Sequence, residues 1–272
     1  MGHGQTGRIP ERCGKIGDIM SDIETFKELV QGALEHREET KVYKDMLFLR
    51  DIFQKKIPLF YRAKKLADIY SVARTLNKNL TGRDYKDLLN SLAFKNFSTE
   101  RDINTQLEDL LQRTEINEKQ LGSKKNKNKI VSFLSKYGYY CTERNFPIYD
   151  SYAEKYMKRL YKKFNLKKIG NNDKYIAHFL RYKNLLNHLS TENTTFGKNH
   201  TLIDGIDAFL WLYGIMEKAE KDAKKEASNS NEYNKKEKEE LSKILYSATC
   251  GDLTKFTTWY NKAKKFMQNN KQ

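Results

Sequence analysis

The sequence predicts an all-α protein, and three observations support that prediction. Helix-favouring lysine, glutamate, leucine and alanine are abundant among the 272 residues, whereas proline occurs three times, at Pro10, Pro58 and Pro147. Apolar residues recur three and four positions apart, as they do from Phe26 to Leu34. No segment alternates apolar and polar residues over the length of a strand. We therefore expect a multi-helix globular protein without a β-sheet.

Capping patterns mark where several of these helices begin. Ser21 and Glu24 have the spacing of a capping box, and Pro58 suits the first turn of a helix. A basic polar stretch at 122–129 leads into an apolar helix, and an irregular connector follows at 138–149. The helices are predicted to span residues 21–34, 41–54, 58–76, 84–95, 99–111, 130–137, 151–164, 173–189, 201–223, 239–249 and 253–267.

The charge of the chain points to a polyanionic partner. Lysine and arginine number 51 against 35 acidic residues, which gives a formal net charge of +16. A field of this sign attracts nucleic acid, so DNA or RNA is the partner expected from charge. The alternative is a lysine-rich solvated surface that reflects a compositional bias of the genome.

Other classes of protein are excluded by what the sequence lacks. Cys13, Cys141 and Cys250 lie far apart, so neither a disulfide framework nor a cysteine-only metal site is expected. No apolar run is long enough to span a bilayer, and no secretory signal or phosphate-binding glycine loop occurs. His178 and His188 do not have metal-ligand spacing, and we expect them on a helix surface or at the edge of the core. We predict a cytoplasmic protein that uses no metal and no cofactor.

The most informative segment is Asn145–Met157. Pro147 fixes an extended approach, and Asp150 stands where the side chain that caps a helix stands. The helix that follows carries a basic face suited to a polyanion, with Lys155, Lys158 and Arg159. An aspartate at such a position is most often only a cap.

The Phe-Pro-Ile-Tyr-Asp sequence at 146–150 resembles the helix-hairpin-helix DNA glycosylase superfamily. In that family an apolar-Pro-apolar segment leads into a helix and delivers a catalytic aspartate, a position that Asp150 matches. The resemblance covers about residues 121–164. It implies that the Asp150 carboxylate stabilises an oxocarbenium-like sugar while the N-glycosidic bond breaks. The family's Leu-Pro-Gly-x-Gly hairpin is replaced here by Leu121-Gly122-Ser123, and the iron–sulfur cysteines of some members are missing.

The same resemblance implies a partner and further site residues. Such enzymes flip the target nucleotide from double-stranded DNA into a pocket, which aromatic side chains can line. A monofunctional glycosylase is the expected activity; in a bifunctional lyase, Lys129 is the candidate for the Schiff base. The predicted base pocket comprises Tyr137, Tyr140, Tyr149 and Tyr152. The predicted DNA contacts are Lys124, Lys125, Lys127, Lys155, Lys158 and Arg159.

The expected domain organisation places a glycosylase-like core at residues 121–223. A flexible leader (1–20) and an N-terminal helical lobe (21–120) precede it in the predicted two-lobed architecture. A polar linker (224–238) and C-terminal helices that pack on the core (239–272) follow it. We expect a monomer that does not enter a membrane.

Other interpretations of the sequence remain open. The chain can be a non-catalytic helical DNA- or RNA-binding protein, or an adaptor whose charge has no binding role. The apolar segment from Ile206 to Trp211 is most simply a core helix, with Asp204 or Asp207 as a less favoured auxiliary acid. If the chain is a glycosylase, its altered hairpin suits a specialised substrate, such as a modified base in phage DNA.

Overall fold

The computed structural model describes residues 12–55, 57–69, 124–144, 146–170, 174–189, 201–227 and 253–268. Throughout these ranges the regular structure is helical, which confirms the all-α prediction. The helices are α1 (Arg12–Glu38), α2 (Lys41–Gln54), α3 (Leu59–Ile69), α4 (Lys124–Cys141), α5 (Ser151–Lys163), α6 (Lys174–Leu189), α7 (Leu202–Ala227) and α8 (Leu253–Gln268).

Several helix boundaries differ from the predictions. The prediction that the first helix starts at Ser21 is wrong, because α1 begins at Arg12 and continues through the supposed capping box. Helix α4 also begins earlier than predicted, at Lys124 within the basic stretch, while α7 extends beyond the predicted start of the linker at 224. The helices predicted at 84–95, 99–111 and 239–249 lie outside the described residues.

The centre of the molecule is the contact of α1 with α7, beside which α5 and α8 also pack. Aromatic rings fill the space between these helices. Phe26 of α1 makes edge contacts with Phe164 and Phe209, at centroid distances of 5.5 and 5.1 Å, and stacks on Phe266 of α8. Each such pair adds about 0.5–1.5 kcal/mol beyond the burial of its area. The core therefore joins the helices that position the polar site described below.

Glycines allow α7 to approach its neighbours closely. A Cβ atom at Gly205 would lie 2.5 Å from Cγ1 of Val30 in α1. A Cβ atom at Gly214 would lie 2.7 Å from Cδ1 of Tyr152 in α5. Side chains at these positions would push α7 away from both partners, so the glycines set the distances between the elements of the site.

The connector between α4 and α5 is held in one conformation by hydrogen bonds to its backbone. Arg144 has a φ of 70°, and its N–H donates to the Tyr139 carbonyl at 2.7 Å. The N–H of Tyr149 donates to Ser135 Oγ at 2.9 Å, and His178 Nε2 lies 3.2 Å from the Ile148 carbonyl. These contacts fix the backbone immediately before Asp150.

No helix within the described ranges combines the length and the apolar character that crossing a membrane requires.

Candidate active site

Asp150 occupies the N-cap of α5, as predicted. Its backbone is extended, and its Oδ1 accepts a hydrogen bond from the N–H of Ala153 at 2.8 Å. The side chain remains 27% exposed. The positive end of the helix dipole favours an anion at this point. The carboxylate is therefore fixed in position and still accessible from outside.

Lys136 of α4 places a buried amine beside this carboxylate. Its Nζ lies 3.9 Å from Asp150 Oδ2 and donates a hydrogen bond to Ser132 Oγ at 2.7 Å. Burial lowers the pKa of Lys136, while the negative charges of Asp150 and Asp207 oppose the shift. An amine with a lowered pKa gives up its proton more readily than a surface lysine does.

Asp207 of α7 is a second carboxyl group coupled to both Asp150 and Lys136. It is 9% exposed. Burial raises the pKa of Asp207 to about 8; the charge of Asp150 adds to this rise, and Arg37 opposes it. Asp207 therefore keeps its proton at neutral pH.

Asp204, one turn earlier on α7, has the opposite kind of environment. Its fully buried carboxylate pairs with Arg37 at 2.8 Å and with Arg144 at 2.9 Å. The hydroxyl of Tyr139 also donates a hydrogen bond to it. Burial alone would lower the pKa of Arg37, but the charge of Asp204, its hydrogen bond and the nearby Tyr139 and Asp207 together outweigh it, and the net shift is upwards. Asp204 is thus held within a paired network that joins α1, α4 and α7.

Helix α6 contributes two buried polar rings to the same region. The Tyr182 hydroxyl and the Nδ1 of His178 have no hydrogen-bond partner among the described residues. Burial, with smaller contributions from Asp207 and Asp150, raises the pKa of Tyr182 well above 10, so the hydroxyl keeps its proton. Burial lowers the pKa of His178 to about 4, and the ring is neutral at pH 7. The prediction that His178 lies at the surface or core edge is wrong, because the residue is fully buried.

Together these groups offer three chemical functions within one site. Asp150 can stabilise a developing positive charge, Asp207 can donate a proton, and Lys136 can carry or exchange one. Strongly shifted pKa values that share electrostatic partners are typical of functional sites. Among the described residues, no group of three or more His, Cys, Asp and Glu side chains is arranged to hold a metal ion.

Two of the tyrosines predicted to line a base pocket face α2 instead of Asp150. Tyr137 and Tyr140 are buried, and their rings lie 5.2 and 5.3 Å from the ring of Phe53. In this structure both tyrosine rings pack in the hydrophobic core. Stacking of either ring on a flipped base stays a prediction.

The other two predicted tyrosines are closer to Asp150 in the chain but contact different helices. Tyr149 is buried against Tyr175 of α6, with ring centroids 5.0 Å apart. Tyr152 is partly buried, and its ring packs over Gly214 of α7. The structure therefore does not bring the four predicted tyrosines together.

The predicted DNA contacts on α5 lie on its exposed face and make ion pairs. Lys155 Nζ lies 2.7 Å from Glu217, to which Arg159 also donates a hydrogen bond. Lys158 pairs with Glu154 at 2.7 Å. The remaining predicted cations, including the proposed Schiff-base lysine, belong to the first turns of α4, and their side chains lie outside the described part of the chain: Lys124, Lys125, Lys127 and Lys129.

Lys136 and Arg37 are not among the predicted site residues, although the sequence carries a signal for each. Both occur in apolar helical patterns, where a lysine or arginine is costly to bury unless it is paired. Lys136 follows the apolar residues Phe133 and Leu134, and Arg37 continues the face of Leu34. Charges at core positions are the signal that would have identified them.

No protein-family model matches this chain, and no curated protein or solved structure is significantly similar to it.

Proposed function

We propose that the protein is a DNA N-glycosylase that hydrolyses the bond between deoxyribose and a damaged or modified base. The observation that carries the proposal is the Asp150 carboxylate, fixed at the N-terminus of α5 and accessible beside a buried group of proton-exchanging side chains. The residues that precede it have the Phe-Pro-Ile-Tyr-Asp pattern of the helix-hairpin-helix glycosylases.

Asp150 suits the charge that develops in this reaction. As the bond between C1′ and the base nitrogen lengthens, the sugar becomes an oxocarbenium-like cation, which a preorganised carboxylate stabilises. Because the Ala153 N–H holds Oδ1 of Asp150, the carboxylate needs little reorganisation when the positive charge develops on the sugar. A water molecule that adds to C1′ can transfer its proton to the same group.

The exposed face of α5 supplies cations for the phosphate backbone. Lys155, Lys158 and Arg159 have side-chain exposures of 43, 50 and 41%. Their partners, Glu217 and Glu154, have side-chain exposures of 13 and 21%, and ion pairs of such solvated cations contribute only about 0–1 kcal/mol. These cations can therefore exchange a carboxylate for a phosphate at little cost when DNA approaches.

The substitution Asp150→Asn tests the proposal, because asparagine caps a helix about as well as aspartate does. We expect unchanged folding, equal or tighter DNA binding, and base release slower by about 10²–10³-fold. Duplexes with damaged bases and with phage-type modified bases are incubated with each protein, and released bases are identified by mass spectrometry. Asp68→Asn, at an exposed position on α3, is the matched control and should behave as wild type.

A non-catalytic DNA-binding protein is the second candidate. It is favoured by the burial of Tyr137, Tyr140 and Tyr149, which leaves these rings packed instead of lining an open pocket. That function predicts salt-dependent binding with no base released from any duplex. Equal base release by wild type and Asp150→Asn would instead remove Asp150 from catalysis and contradict the glycosylase proposal.

A further inference from the structure

A cleft between α1 and α8 lies apart from the site at Asp150. Its volume is about 630 Å³, within the roughly 300–1,000 Å³ that small-molecule sites occupy. Lys163, the last residue of α5, lines one end of the cleft. Asp150 caps the other end of that 13-residue helix, so the two places are about 20 Å apart. The cleft is therefore separate from the proposed active site.

The floor of the cleft is apolar. Trp259 of α8 lies directly against the backbone of α1, because a Cβ atom at Gly32 would be 2.7 Å from its Cδ1. Its Nε1 donates to the Leu29 carbonyl at 2.8 Å, so the indole keeps no polar group for a ligand. The buried side chains of Leu29 and Phe266 line the same floor. This surface suits the face of an apolar ring.

Fixed side chains close both ends of the cleft. The side chain of Lys163 is 4% exposed, and its Nζ donates to both carboxylate oxygens of Asp22 at 3.1 Å. The same Nζ lies 5.0 Å from the centre of the Phe266 ring. At the other end, the ring of His36 lies 5.9 Å from that of Trp259. The paired Lys163 is a wall of the cleft, so an incoming anion has to be met by other cations.

The two rims of the cleft differ in charge. Exposed lysines stand along the α8 rim, at Lys255, Lys262 and Lys265, whereas the α1 rim carries Glu28. Lys262 and Lys265 follow Trp259 by three and six residues, so they lie about 5–9 Å further along the same side of α8. Four lysines and two acidic residues line the cleft, which leaves a net charge of +2. This charge favours an anionic ligand.

The other polar groups of the rims accept hydrogen bonds. Thr25 Oγ1 donates to the Ser21 carbonyl at 2.7 Å, and Thr258 Oγ1 donates to the Thr254 carbonyl at 2.9 Å. Both hydroxyls have thus already donated their protons, and together with the Glu28 carboxylate they present acceptors to the cleft. A matching ligand carries N–H or O–H donors. A fatty acid has an anion and an apolar body but lacks such donors.

We propose that the cleft between α1 and α8 binds a free mononucleotide. The base lies on the floor at Trp259, the phosphate is held by Lys262 and Lys265, and the amino and hydroxyl groups donate to the rims. One nucleotide spans the distance from the indole to these lysines. Asp22 and Glu28 on the opposite rim repel further phosphates, which favours a free nucleotide over a nucleic-acid strand. The proposal does not depend on glycosylase activity, because no residue of the cleft belongs to the Asp150 site.

Binding of adenosine monophosphate (AMP) tests the proposal. Trp211→Phe leaves Trp259 as the only tryptophan, and its fluorescence is followed during titration while calorimetry measures the same affinity in the wild type. We expect a saturable change with AMP, and about tenfold weaker binding of adenosine and of inorganic phosphate, each of which supplies one part of the ligand. Lys262→Gln with Lys265→Gln should weaken AMP binding about tenfold and leave adenosine binding unchanged.

A matched control separates the cleft from the general charge of the protein. Lys44→Gln with Lys64→Gln removes two exposed lysines from α2 and α3 and should bind AMP as the wild type does. Circular dichroism checks the fold of each variant, and AMP should raise the thermal midpoint of the wild type and of the control.

Three outcomes would overturn the proposal. The first is no saturable binding of AMP up to millimolar concentration. The second is equal affinity for AMP in the wild type and in Lys262→Gln with Lys265→Gln. The third is a single-stranded oligonucleotide that binds through these two lysines more tightly than AMP, which would make the cleft a groove for nucleic acid. Loss of AMP binding in the cleft variant alone supports the nucleotide site, whether or not any duplex releases a base.

Discussion

The carboxylates of Asp204 and Asp207 lie one turn apart on α7, in two regions with different electrostatics. The region of Asp204 matches its negative charge with Arg37 and Arg144, and its polar atoms are joined across three elements. In the region of Asp207 and Asp150, Lys136 lies 3.9 Å from Asp150, and both Lys136 and Asp207 have shifted pKa values. The first arrangement secures helix packing, whereas the second retains protons and charges that a reaction can use.

Removing the charge of Asp204 should have the largest effect on stability. In Asp204→Asn, the buried Arg37 and the partly exposed Arg144 lose their counter-charge, and breaking a buried pair such as Arg37–Asp204 costs about 3–5 kcal/mol. Denaturant unfolding at pH 7 measures the loss. The matched control is Asp207→Asn, which replaces a carboxyl that must take up a proton on folding, so at pH 7 this variant should not lower the free energy of unfolding. Equal losses in the two variants would show that the two regions do not differ in this way.

Acid should destabilise the protein through His178, which is buried beside the connector. The pKa of His178 is lowered from 6.5 to about 4 in the folded protein. Between pH 6.5 and 4, the histidine therefore binds a proton in the unfolded chain but not in the folded one. Lowering the pH through this window therefore favours the unfolded state, by up to about 3 kcal/mol at pH 4. His178→Gln should lose this pH dependence, whereas His36→Gln, on α1, should retain it. Denaturant unfolding of the three proteins at pH 7, 5.5 and 4.5 measures the effect. If His178→Gln loses as much free energy of unfolding towards pH 4.5 as the wild type does, His178 is not the cause.

Asp207 should give stability the opposite dependence on pH. Its folded pKa of about 8 lies above the unfolded value of 3.8, so the folded state binds the extra proton between these limits. Raising the pH from 6 to 8 should cost the wild type about 2 kcal/mol. The free energy of unfolding of Asp207→Asn should lack this decrease between pH 6 and 8. The free energy of unfolding of both proteins is measured at pH 6 and pH 8. If the wild type loses no more than Asp207→Asn does between these values, Asp207 is not protonated in the folded protein.

Glu217, a partly buried carboxylate with four side-chain partners, should matter least for stability. Glu217 accepts hydrogen bonds from Lys155, Lys221, Tyr156 and Arg159; burial would raise its pKa, but these bonds lower it. Because the cluster is solvated, Glu217→Gln should change the free energy of unfolding by less than about 1 kcal/mol.

The same variant tests the proposed DNA-binding face of α5. Glu217→Gln frees Lys155 and Arg159 of α5, together with Lys221 of α7, and should tighten duplex binding several-fold at low salt and make its salt dependence steeper, by up to about one unit of slope for each new phosphate contact. Glu220→Gln, which releases Lys264 of α8, is the control and should bind DNA as the wild type does. Fluorescence anisotropy over a salt series makes the comparison, and identical slopes for all three proteins would exclude α5 from the interface.

Helices were predictable where an apolar stripe and a local cap agreed. The prediction for α2 matches both ends, because Thr40 caps its start and the stripe ends with the helix. Asp150 was predicted as a cap for the same local reason. The start of α1 was wrong, because a capping box within a longer helix has the same residues as one at its end.

The site was only partly predictable, because its partners are distant in the sequence. Asp150 carries a local motif, but the positions of Arg37 and Tyr182 beside α7 depend on packing. Asp204 and Asp207 have the same residue type and similar neighbours in the chain, so sequence alone does not distinguish the ionised from the protonated carboxyl. Tertiary contacts decide which aspartate keeps its proton.

The contact of α8 with α1 has a consequence for how the protein is made. Trp259 donates a hydrogen bond from Nε1 to the Leu29 carbonyl at 2.8 Å, across 230 residues of chain. At synthesis rates of about 5–20 residues per second, α1 waits on the order of 10–50 s for this partner to emerge from the ribosome. For most of that time the apolar face of α1, with Phe26 and Val30, has neither α7 nor α8 to cover it, because α7 begins at Leu202. We therefore expect the apolar face of α1 to be most exposed to aggregation while the chain is still being made.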